Sequence, residues 1–378
     1  MRCHYFDAGL CRSCSLLETP YADQLAGKQH DAQTLLEPWG SLNWLPPVAS
    51  ADQAFRNKAK LVVGGASQQP TLGILDRQGQ GIDLTDCQLY LPAISRAIPV
   101  LADLIRRADL TPYSVQKRKG ELKNILVTAS DSGELMVRFV LRSKKLIVAL
   151  KRELPRLHEQ LPQLAVVSVN LLREHVALVE GNEEIILTER TTLPMQVNDM
   201  TLHLRPQSFF QTNTSIAASL YRQAQAWVSE AVPGSLWDLY CGVGGFALHA
   251  AAVMPPGATV TGIEISSEAI ASAQRTVAER SLTGVHFIAQ DAPDYATSSG
   301  QVPEMLIVNP PRRGLGPQLS RWIEGSGIDQ VIYSSCNLRS LVRDLEKMPS
   351  MEPVQGQVMD MFPHSSHYET IMLLKRSR

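Results

Sequence analysis

The segment that ends in Ser335, Cys336 and Asn337 carries the residue type best suited to nucleophilic chemistry. The apolar run QVIYSS predicts a buried β-strand, and Cys336 follows at its carboxyl end. In a parallel sheet that end faces the ligand crevice, where a thiol gains reactivity as its pKa falls below about 8.5. A single cysteine more often serves as a small apolar side chain, so the surrounding residues decide its role.

One reaction that requires a thiolate is methyl transfer to carbon 5 of uracil. That carbon is not nucleophilic until carbon 6 has been attacked and the ring has become an enolate. A base must then remove the carbon-5 proton so that the thiol can be eliminated. Glu369, in the segment HYE near the C-terminus, is the candidate base, although taken alone it would be an ordinary surface residue.

A glycine-rich loop predicts a nucleotide site further upstream. The strand SLWDLY runs into CGVGGFA at positions 241–247, which opens a helix whose N–H groups can face a ligand. Glu264 ends the next strand about twenty residues later, where a carboxylate can bind both ribose hydroxyls. The loop also fits a dinucleotide fingerprint, so a nicotinamide enzyme is an equal alternative here, and a plain tight turn is a third.

The strand EMLIVNP delivers Asn309 to the same edge of the predicted sheet. Pro310 and Pro311 stiffen the turn that follows, a feature with no evident use in a dehydrogenase. Asn-Pro-Pro followed by an aromatic residue would indicate amino-group methylation, but Arg312 occupies that place. Alternatively, the prolines end a strand and the arginines face solvent.

Four cysteines form a candidate metal site in an otherwise irregular N-terminal segment. They are Cys3, Cys11, Cys14 and Cys87. Four thiolates can hold zinc or an iron–sulfur cluster, and the lack of a second C-x-x-C pair weakens the case for a zinc ribbon. Spacing leaves the two metals open, with unligated buried cysteines as the remaining alternative.

The elements that would position these residues fall into two patterns. Before Gly181, the runs LKNILVTA, LMVRFVLRS, VVSVNLL and HVALVEG predict strands, and KKLIVALKRELPRLHEQLP predicts a helix that ends at its prolines. This pattern favours an α+β domain on an antiparallel sheet.

After Arg205, the helix SIAASLYRQAQAWVSEAV precedes apolar strands separated by helices or loops. They predict an α/β domain with a parallel, doubly wound sheet, similar to a Rossmann fold. The expected domains are a cysteine-cluster segment (1–95), a central RNA-binding domain (96–205) and a catalytic domain (206–378).

Composition limits the partners. The chain has 378 residues and a net charge of −1, so binding to a polyanion requires local basic clusters. Residues 117–145 contain eight Lys or Arg against three Asp or Glu, and FRNK at 55–58 adds an aromatic ring. Such residues could contact phosphates and stack on bases. No apolar run predicts a signal peptide or membrane span, so we expect a cytoplasmic protein that does not bind membranes.

The motifs resemble those of the RNA 5-methyluridine methyltransferase family. They are RPQSFFQTN, DLYCGVGGF, TGIE, VNPPRRG, YSSCN and MFPHSSHYE, in the family's usual order. The similarity extends upstream over the cysteines and FRNKAK, and thus covers essentially the whole chain. It is greatest to the short bacterial branch that lacks the N-terminal β-barrel called TRAM and modifies uridine 747 of 23S ribosomal RNA.

The resemblance implies a role for each motif. It implies S-adenosyl-L-methionine as cofactor, bound by Gln211, Tyr240, Glu264 and Asn309, with Cys336 as nucleophile and Glu369 as base; Gly242 of the glycine-rich loop is a further expected cofactor contact. It also implies a 4Fe-4S cluster on Cys3, Cys11, Cys14 and Cys87, which we interpret as structural because nothing nearby suggests electron transfer to the methylation site. The expected partner is 23S ribosomal RNA, bound by a monomer at a single-stranded or loop uridine, because flipping a base out of its stack is least costly there.

Two positions depart from the family pattern. Asn309 stands where many relatives have Asp, and Gly245 closes a loop that often ends in Asn.

Two other functions remain as alternatives. The first is an amino-group methyltransferase acting on RNA or protein, which needs no thiol. The second is a non-catalytic iron–sulfur RNA-binding protein.

Overall fold

A computed structural model describes residues 1–40, 42–176 and 178–377. It divides into two compact units. The first comprises Met1–Ser13, Gln53–Met195 and Arg205–Gln207, and the second comprises Cys14–Asp52, Gln196–Leu204 and Ser208–Arg378. Residues 14–52, expected in the N-terminal segment, thus belong to the second unit. The three expected domain ranges, with the central domain packed against the first segment, stay a prediction.

The helices and strands have the following bounds. The α-helices are α1 (His4–Asp7), α2 (Tyr21–Leu36), α3 (Pro92–Arg107), α4 (Ile147–Gln160), α5 (Thr214–Ala231), α6 (Gly245–Ala251), α7 (Ser267–Arg280), α8 (Ala292–Ser298), α9 (Gly316–Ser326) and α10 (Leu338–Leu345). The strands are β1 (Asn43–Trp44), β2 (Lys58–Ala66), β3 (Gln69–Leu75), β4 (Gly81–Asp83), β5 (Leu122–Ala129), β6 (Leu135–Leu141), β7 (Leu164–Leu171), β8 (Glu183–Ile186), β9 (Leu193–Val197), β10 (Met200–Leu204), β11 (Ser235–Leu239), β12 (Thr259–Glu264), β13 (Val285–Ala289), β14 (Met305–Val308), β15 (Gln330–Ser335), β16 (Met351–Met359) and β17 (Glu369–Arg376). Short 3-10 helices occupy Glu37–Trp39 and Lys144–Leu146.

The first unit is built on a mixed sheet in the order β4-β3-β2-β5-β6-β7-β8. Every residue of β5, β6 and β7 is buried, so these strands are rich in apolar side chains, and the polar ones among them, such as Lys123, Arg138 and Asn170, are buried too. The sheet is antiparallel as predicted except that β6 and β7 are parallel, because α4 lies between them in the chain and allows a crossover.

One local prediction for this unit was confirmed in part and another was wrong. The predicted helix passes through its first proline, Pro155, and ends at Gln160, two residues before its second proline, Pro162. The segment HVALVEG is not a strand in its described residues 175–176 and 178–181, and residue 177 lies outside the described residues. The strand that pairs with β7 is instead β8, whose pattern is charged and then apolar.

The second unit contains a sheet in the order β1-β16-β17-β15-β14-β11-β12-β13. Strands β13, β12, β11, β14 and β15 are mutually parallel, as their apolar sequences predicted. The chain passes from β11 outward to β13 and then returns to the other side of β11 as β14. This reversal creates the crevice in which open α/β sheets bind ligands. Within the described part of the chain, no helix is long and apolar enough to cross a membrane.

Candidate active site

Strand β15 places Cys336 at the edge of the crevice. Residues 331–335 are buried, whereas Cys336, directly after the strand, is partly exposed. Helix α10 begins two residues later, and the Asn337 side chain donates a hydrogen bond to the carbonyl oxygen of Arg312 at 3.0 Å. The thiol is therefore reachable by a ligand while its backbone is held on both sides.

Strand β17 brings Glu369 next to this thiol. The strand is antiparallel to β15, and Ser335 pairs with Thr370, so continuing the ladder places Glu369 opposite Cys336. The Ser334 hydroxyl donates a hydrogen bond to Glu369 Oε1 at 2.7 Å. The other oxygen, Oε2, is buried without a hydrogen-bond partner among the described residues. Sequence places these residues over thirty positions apart, and the antiparallel pairing joins them.

Burial tunes both groups. It raises the pKa of Glu369 to about 7, and the bond from Ser334 opposes this shift. Burial also raises the pKa of the Cys336 thiol, and the charge of Glu369 adds to the increase. The Arg312 guanidinium lowers the thiol pKa through its charge and a hydrogen bond. Arg312 therefore has a role that the sequence analysis did not assign to it, signalled by its position just after a strand end.

The glycine loop adopts the tight turn expected after β11. Tyr240, Gly242 and Gly244 have φ values of 64°, 54° and 86°, and the helix α6 begins at Gly245. A Cβ on Gly245 would lie 2.4 Å from the Tyr221 ring. This contact explains why a glycine, and no larger residue, closes the loop.

Glu264 ends β12 and holds the loop in place. Its Oε2 accepts a hydrogen bond from the Gly242 N–H at 3.2 Å, and its Oε1 accepts one from the Ser266 N–H at 3.0 Å. The carboxylate predicted to bind ribose therefore also organises the backbone around it. A carboxylate has about four acceptor sites, so both roles are compatible.

The remaining predicted cofactor residues lie in two places. Asn309 directly follows β14, is half-buried, and donates its backbone N–H to the Leu239 carbonyl at 3.3 Å. Gln211 is buried in the segment before α5. The structure thus brings Tyr240, Gly242 and Asn309 to the carboxyl ends of adjacent strands, whereas Gln211 comes from outside this sheet edge.

The comparison with known sequences decides the family. The family model of tRNA (Uracil-5-)-methyltransferase matches residues 20–305 and 299–377. The chain belongs to this methyltransferase family. The predicted resemblance and the prediction that the chain is an enzyme are therefore confirmed.

Full-length relatives of this methyltransferase have more specific names. The protein named 23S rRNA (uracil(747)-C(5))-methyltransferase RlmC in Halothiobacillus neapolitanus is 52% identical over 382 residues, with 100% of each chain covered. A protein of the same name in Pectobacterium carotovorum is 47% identical over 377 residues, also with 100% of each covered.

The fold has also been observed in a solved structure. The Pyrococcus abyssi tRNA (uracil-54, C5)-methyltransferase, crystallised with S-adenosyl-L-homocysteine, superposes with a TM-score of 0.78. The two are 23% identical, and the match covers 96% of this chain and 85% of the other. At this identity the likeness supports the α/β architecture with mixed sheets.

Two acidic residues of the methyltransferase sheet escaped the sequence analysis. Asp238 in β11 is fully buried, accepts a hydrogen bond from the Ala247 N–H at 2.9 Å, and has a pKa raised by burial to about 8. Asp291 follows β13 and caps α8, and together with burial it raises the pKa of Tyr240 to about 12. For both, the sequence signal that could have identified them is an acidic residue close to the carboxyl end of a predicted strand.

The four N-terminal cysteines are all free thiols. Burial raises the pKa of Cys87, and interactions with Cys11 and Cys3 in the same unit raise it further. Cys14 begins the second unit. Among the described residues, no group of three or more His, Cys, Asp or Glu side chains is arranged to hold a metal ion.

Part of the region predicted to contact RNA lies in the protein interior. Arg138 is 1% exposed and forms ion pairs with Glu180 and Glu184 at 2.5 and 2.6 Å. Phe55 is buried, so its ring is not available for stacking on a base. The exposed basic residues of this region are Lys117, Arg118, Lys119, Lys144 and Lys145.

Proposed function

We propose that this chain transfers a methyl group from S-adenosyl-L-methionine to carbon 5 of a uridine in 23S ribosomal RNA, at position 747. The names of the full-length relatives support this substrate. The observation that carries the chemistry is the pairing of Cys336 and Glu369 across β15 and β17. A nucleophile and a base on adjacent strands meet the needs of carbon-5 methylation.

The cofactor would bind at the carboxyl ends of β11, β12 and β14. Gln211, Tyr240, Gly242, Glu264 and Asn309 are the proposed contacts, and the S-adenosyl-L-homocysteine bound to the solved relative supports the choice of cofactor. The positive φ of Gly242 lets the backbone approach a ligand closely, and no described atom lies within 4 Å of the place a Cβ would take. S-Adenosyl-L-methionine supplies an electrophilic methyl group when bound.

The reaction would begin at Cys336. Its thiolate attacks carbon 6 of the uracil, a carbon–sulfur bond forms, and the ring electrons move to the carbonyl as an enolate. Arg312 favours the thiolate because its positive charge lowers the thiol pKa. Carbon 5 of the enolate then accepts the methyl group.

Glu369 would complete the reaction. Its carboxylate removes the proton from carbon 5, and the electron pair left behind expels the Cys336 sulfur from carbon 6. Because the pKa of Glu369 is about 7, a substantial fraction of the carboxyl is ionised at neutral pH. The buried oxygen Oε2, which lacks a partner among the described residues, can accept this proton.

The experiment that tests this function uses 23S RNA carrying 5-fluorouridine at position 747. Fluorine cannot be removed as a proton, so the enzyme should remain covalently bound through Cys336 in a complex that survives denaturation. The variant C336A should form no complex and transfer no methyl group to unmodified RNA. Methyl transfer by C336A at the wild-type rate would instead indicate amino-group methylation, and no binding of S-adenosyl-L-methionine would indicate a non-catalytic protein.

We also propose that Cys3, Cys11, Cys14 and Cys87 hold a 4Fe-4S cluster, with a structural role. Thiolates are the usual ligands of such clusters, and the interacting thiols of Cys3, Cys11 and Cys87 support the assignment. Among the described residues, the arrangement does not itself form a metal-ligand group, so the proposal rests on the residue types and on the family resemblance. The cytoplasmic location, the monomeric state and the absence of membrane binding stay predictions.

A further inference from the structure

A cavity of about 560 Å³ in the second unit opens beside the proposed nucleophile. Cys336, Asn337 and Arg339 line one side, and residues of α2 line another. Pockets of about 300–1,000 Å³ bind drug-sized ligands, so the volume suffices for more than one uracil ring. Because RNA is continuous, a uridine bonded to Cys336 must have its neighbouring nucleotides close to this wall.

Helix α2 is firmly fixed where it borders the cavity. The side-chain oxygen of Gln24 accepts a hydrogen bond from the His364 N–H at 2.9 Å, and Lys28 forms an ion pair with Asp360 at 2.6 Å. Gln24 and Lys28 are each 3% exposed. The face of α2 toward the cavity is therefore held in one orientation before a ligand arrives.

The face of α2 toward the cavity presents hydrogen-bond acceptors, with unfilled space between them. Asp23, Gly27 and Asp31 line the cavity at intervals of four residues, and all three are exposed. Asp31 Oδ2 accepts a hydrogen bond from the Tyr368 hydroxyl at 2.7 Å, which orients the carboxylate and leaves further acceptor sites. No described atom lies within 4 Å of the place a Cβ on Gly27 would take, so packing does not require this glycine.

The charges favour one class of occupant. Aspartates accept hydrogen bonds from exocyclic amino groups, which adenine, cytosine and guanine have and uracil lacks. A carboxylate would repel a phosphate, whereas the exposed Arg339 guanidinium would bind one. Asp23 and Asp31 therefore suit a base other than the target, with its phosphate toward Arg339.

We propose that this cavity is a second nucleobase subsite, which binds an amino-bearing base adjacent to the target uridine against Asp23 and Asp31. The inference rests on the proposed function. It assigns to α2 a role in selecting the RNA sequence beside the methylated position.

The test compares G27L with the matched control A26L. Ala26 is exposed on α2 but is not part of the cavity wall, so both variants add the same bulk to the same helix. The probe is an RNA hairpin with the 23S sequence around uridine 747, intact or with an abasic site on either side of the uridine. For the wild type and A26L, one of the two abasic sites should raise the Kd about tenfold.

The G27L variant should bind intact RNA about tenfold more weakly than the wild type does. Its Kd should be the same for intact RNA and for RNA with that abasic site, because the leucine already fills the subsite. Equal Kd values for G27L and wild type, or the same abasic penalty in both, would overturn the proposal. S-Adenosyl-L-methionine binding and Tm should match the wild type, which shows that G27L is folded.

A second variant covers the case in which G27L does not fold. D23N/D31N keeps the shape of both side chains, and removing two negative charges strengthens RNA binding in general. The informative quantity is thus the ratio of Kd values for uracil and adenine at the neighbouring position, which should fall from about tenfold toward one. An unchanged ratio counts against the subsite. Wild-type protein that forms no RNA adduct contradicts the proposed function instead, whereas methylation indifferent to both neighbours contradicts only the subsite.

Discussion

At the scale of single residues, the proposed chemistry depends on the balance between burial and neighbouring charges. Burial raises the pKa of both Cys336 and Glu369, which opposes formation of the thiolate and favours a protonated carboxyl. The Arg312 guanidinium lowers the pKa of the Cys336 thiol, and the hydrogen bond from Ser334 lowers the pKa of the Glu369 carboxyl. Both reacting groups must be deprotonated to act, so turnover should increase as the pH rises through about 7.

The variant S334A tests the role of the serine in positioning the base. Removing the hydrogen bond to ionised Glu369 should raise its pKa further, because the bond stabilises the charged form. We expect the rise in kcat with pH to move upward by roughly one unit while KM for RNA stays unchanged. S334T retains the hydroxyl and should restore the profile. An identical kcat–pH profile for S334A and wild type would contradict this role.

At the scale of secondary-structure elements, α2 fixes the segment that connects β16 to β17. This segment contains His364, whose φ is 64°, and leads directly into Glu369. The His364 ring contacts the Gln24 amide at 3.3 Å and the Asp52 carbonyl at 2.8 Å. Helix α2, which is remote in sequence, therefore fixes the segment that leads to Glu369, the proposed base.

The buried ion pair between Lys28 and Asp360 provides a test of this attachment. K28M should lower the free energy of unfolding by about 3 kcal/mol, because it leaves the Asp360 charge buried without its cation. The double variant K28M/D360L should recover much of that loss, measured by chemical denaturation. K375M replaces an exposed lysine of β17 and should be nearly neutral. Equal stabilities of K28M and K375M would contradict the argument.

At the scale of the whole molecule, the proposed cluster and the proposed catalytic groups draw on different parts of the chain. Three of the four proposed cluster ligands, Cys3, Cys11 and Cys87, belong to the first unit, whereas Cys14, Cys336 and Glu369 belong to the second, with Cys14 more than 300 residues from Cys336 in sequence. Loss of metal should therefore disorder the N-terminal segment, where few apolar residues are available to pack, without altering the cofactor site.

The variant C87S makes this separation measurable. We expect it to lose bound iron and sulfide and to bind RNA at least tenfold more weakly, while its Kd for S-adenosyl-L-methionine stays at the wild-type value. C241A, which removes a buried cysteine of the second unit, should retain its iron. Normal iron content and RNA affinity in C87S would disprove the assignment of this ligand.

The sequence alone determined the elements whose signals are local. Predominantly apolar strands such as β11, β14 and β15 are stable only when both faces are covered, so their sequence predicts a parallel sheet. Cys336 at the end of such a strand, and glycines after another, then indicate ligand positions. The family motifs extended this interpretation to the whole chain.

Tertiary structure decided which distant residues meet, because this depends on strand pairing and packing that have no local signature. It placed Glu369 beside Cys336, turned the Phe55 ring inward, and made β6 and β7 parallel. It also brought Gly27 of α2 to the cavity that Cys336 lines. Residue types and spacing thus predicted the kind of chemistry, and long-range packing set the pKa of the reacting groups and the space around them.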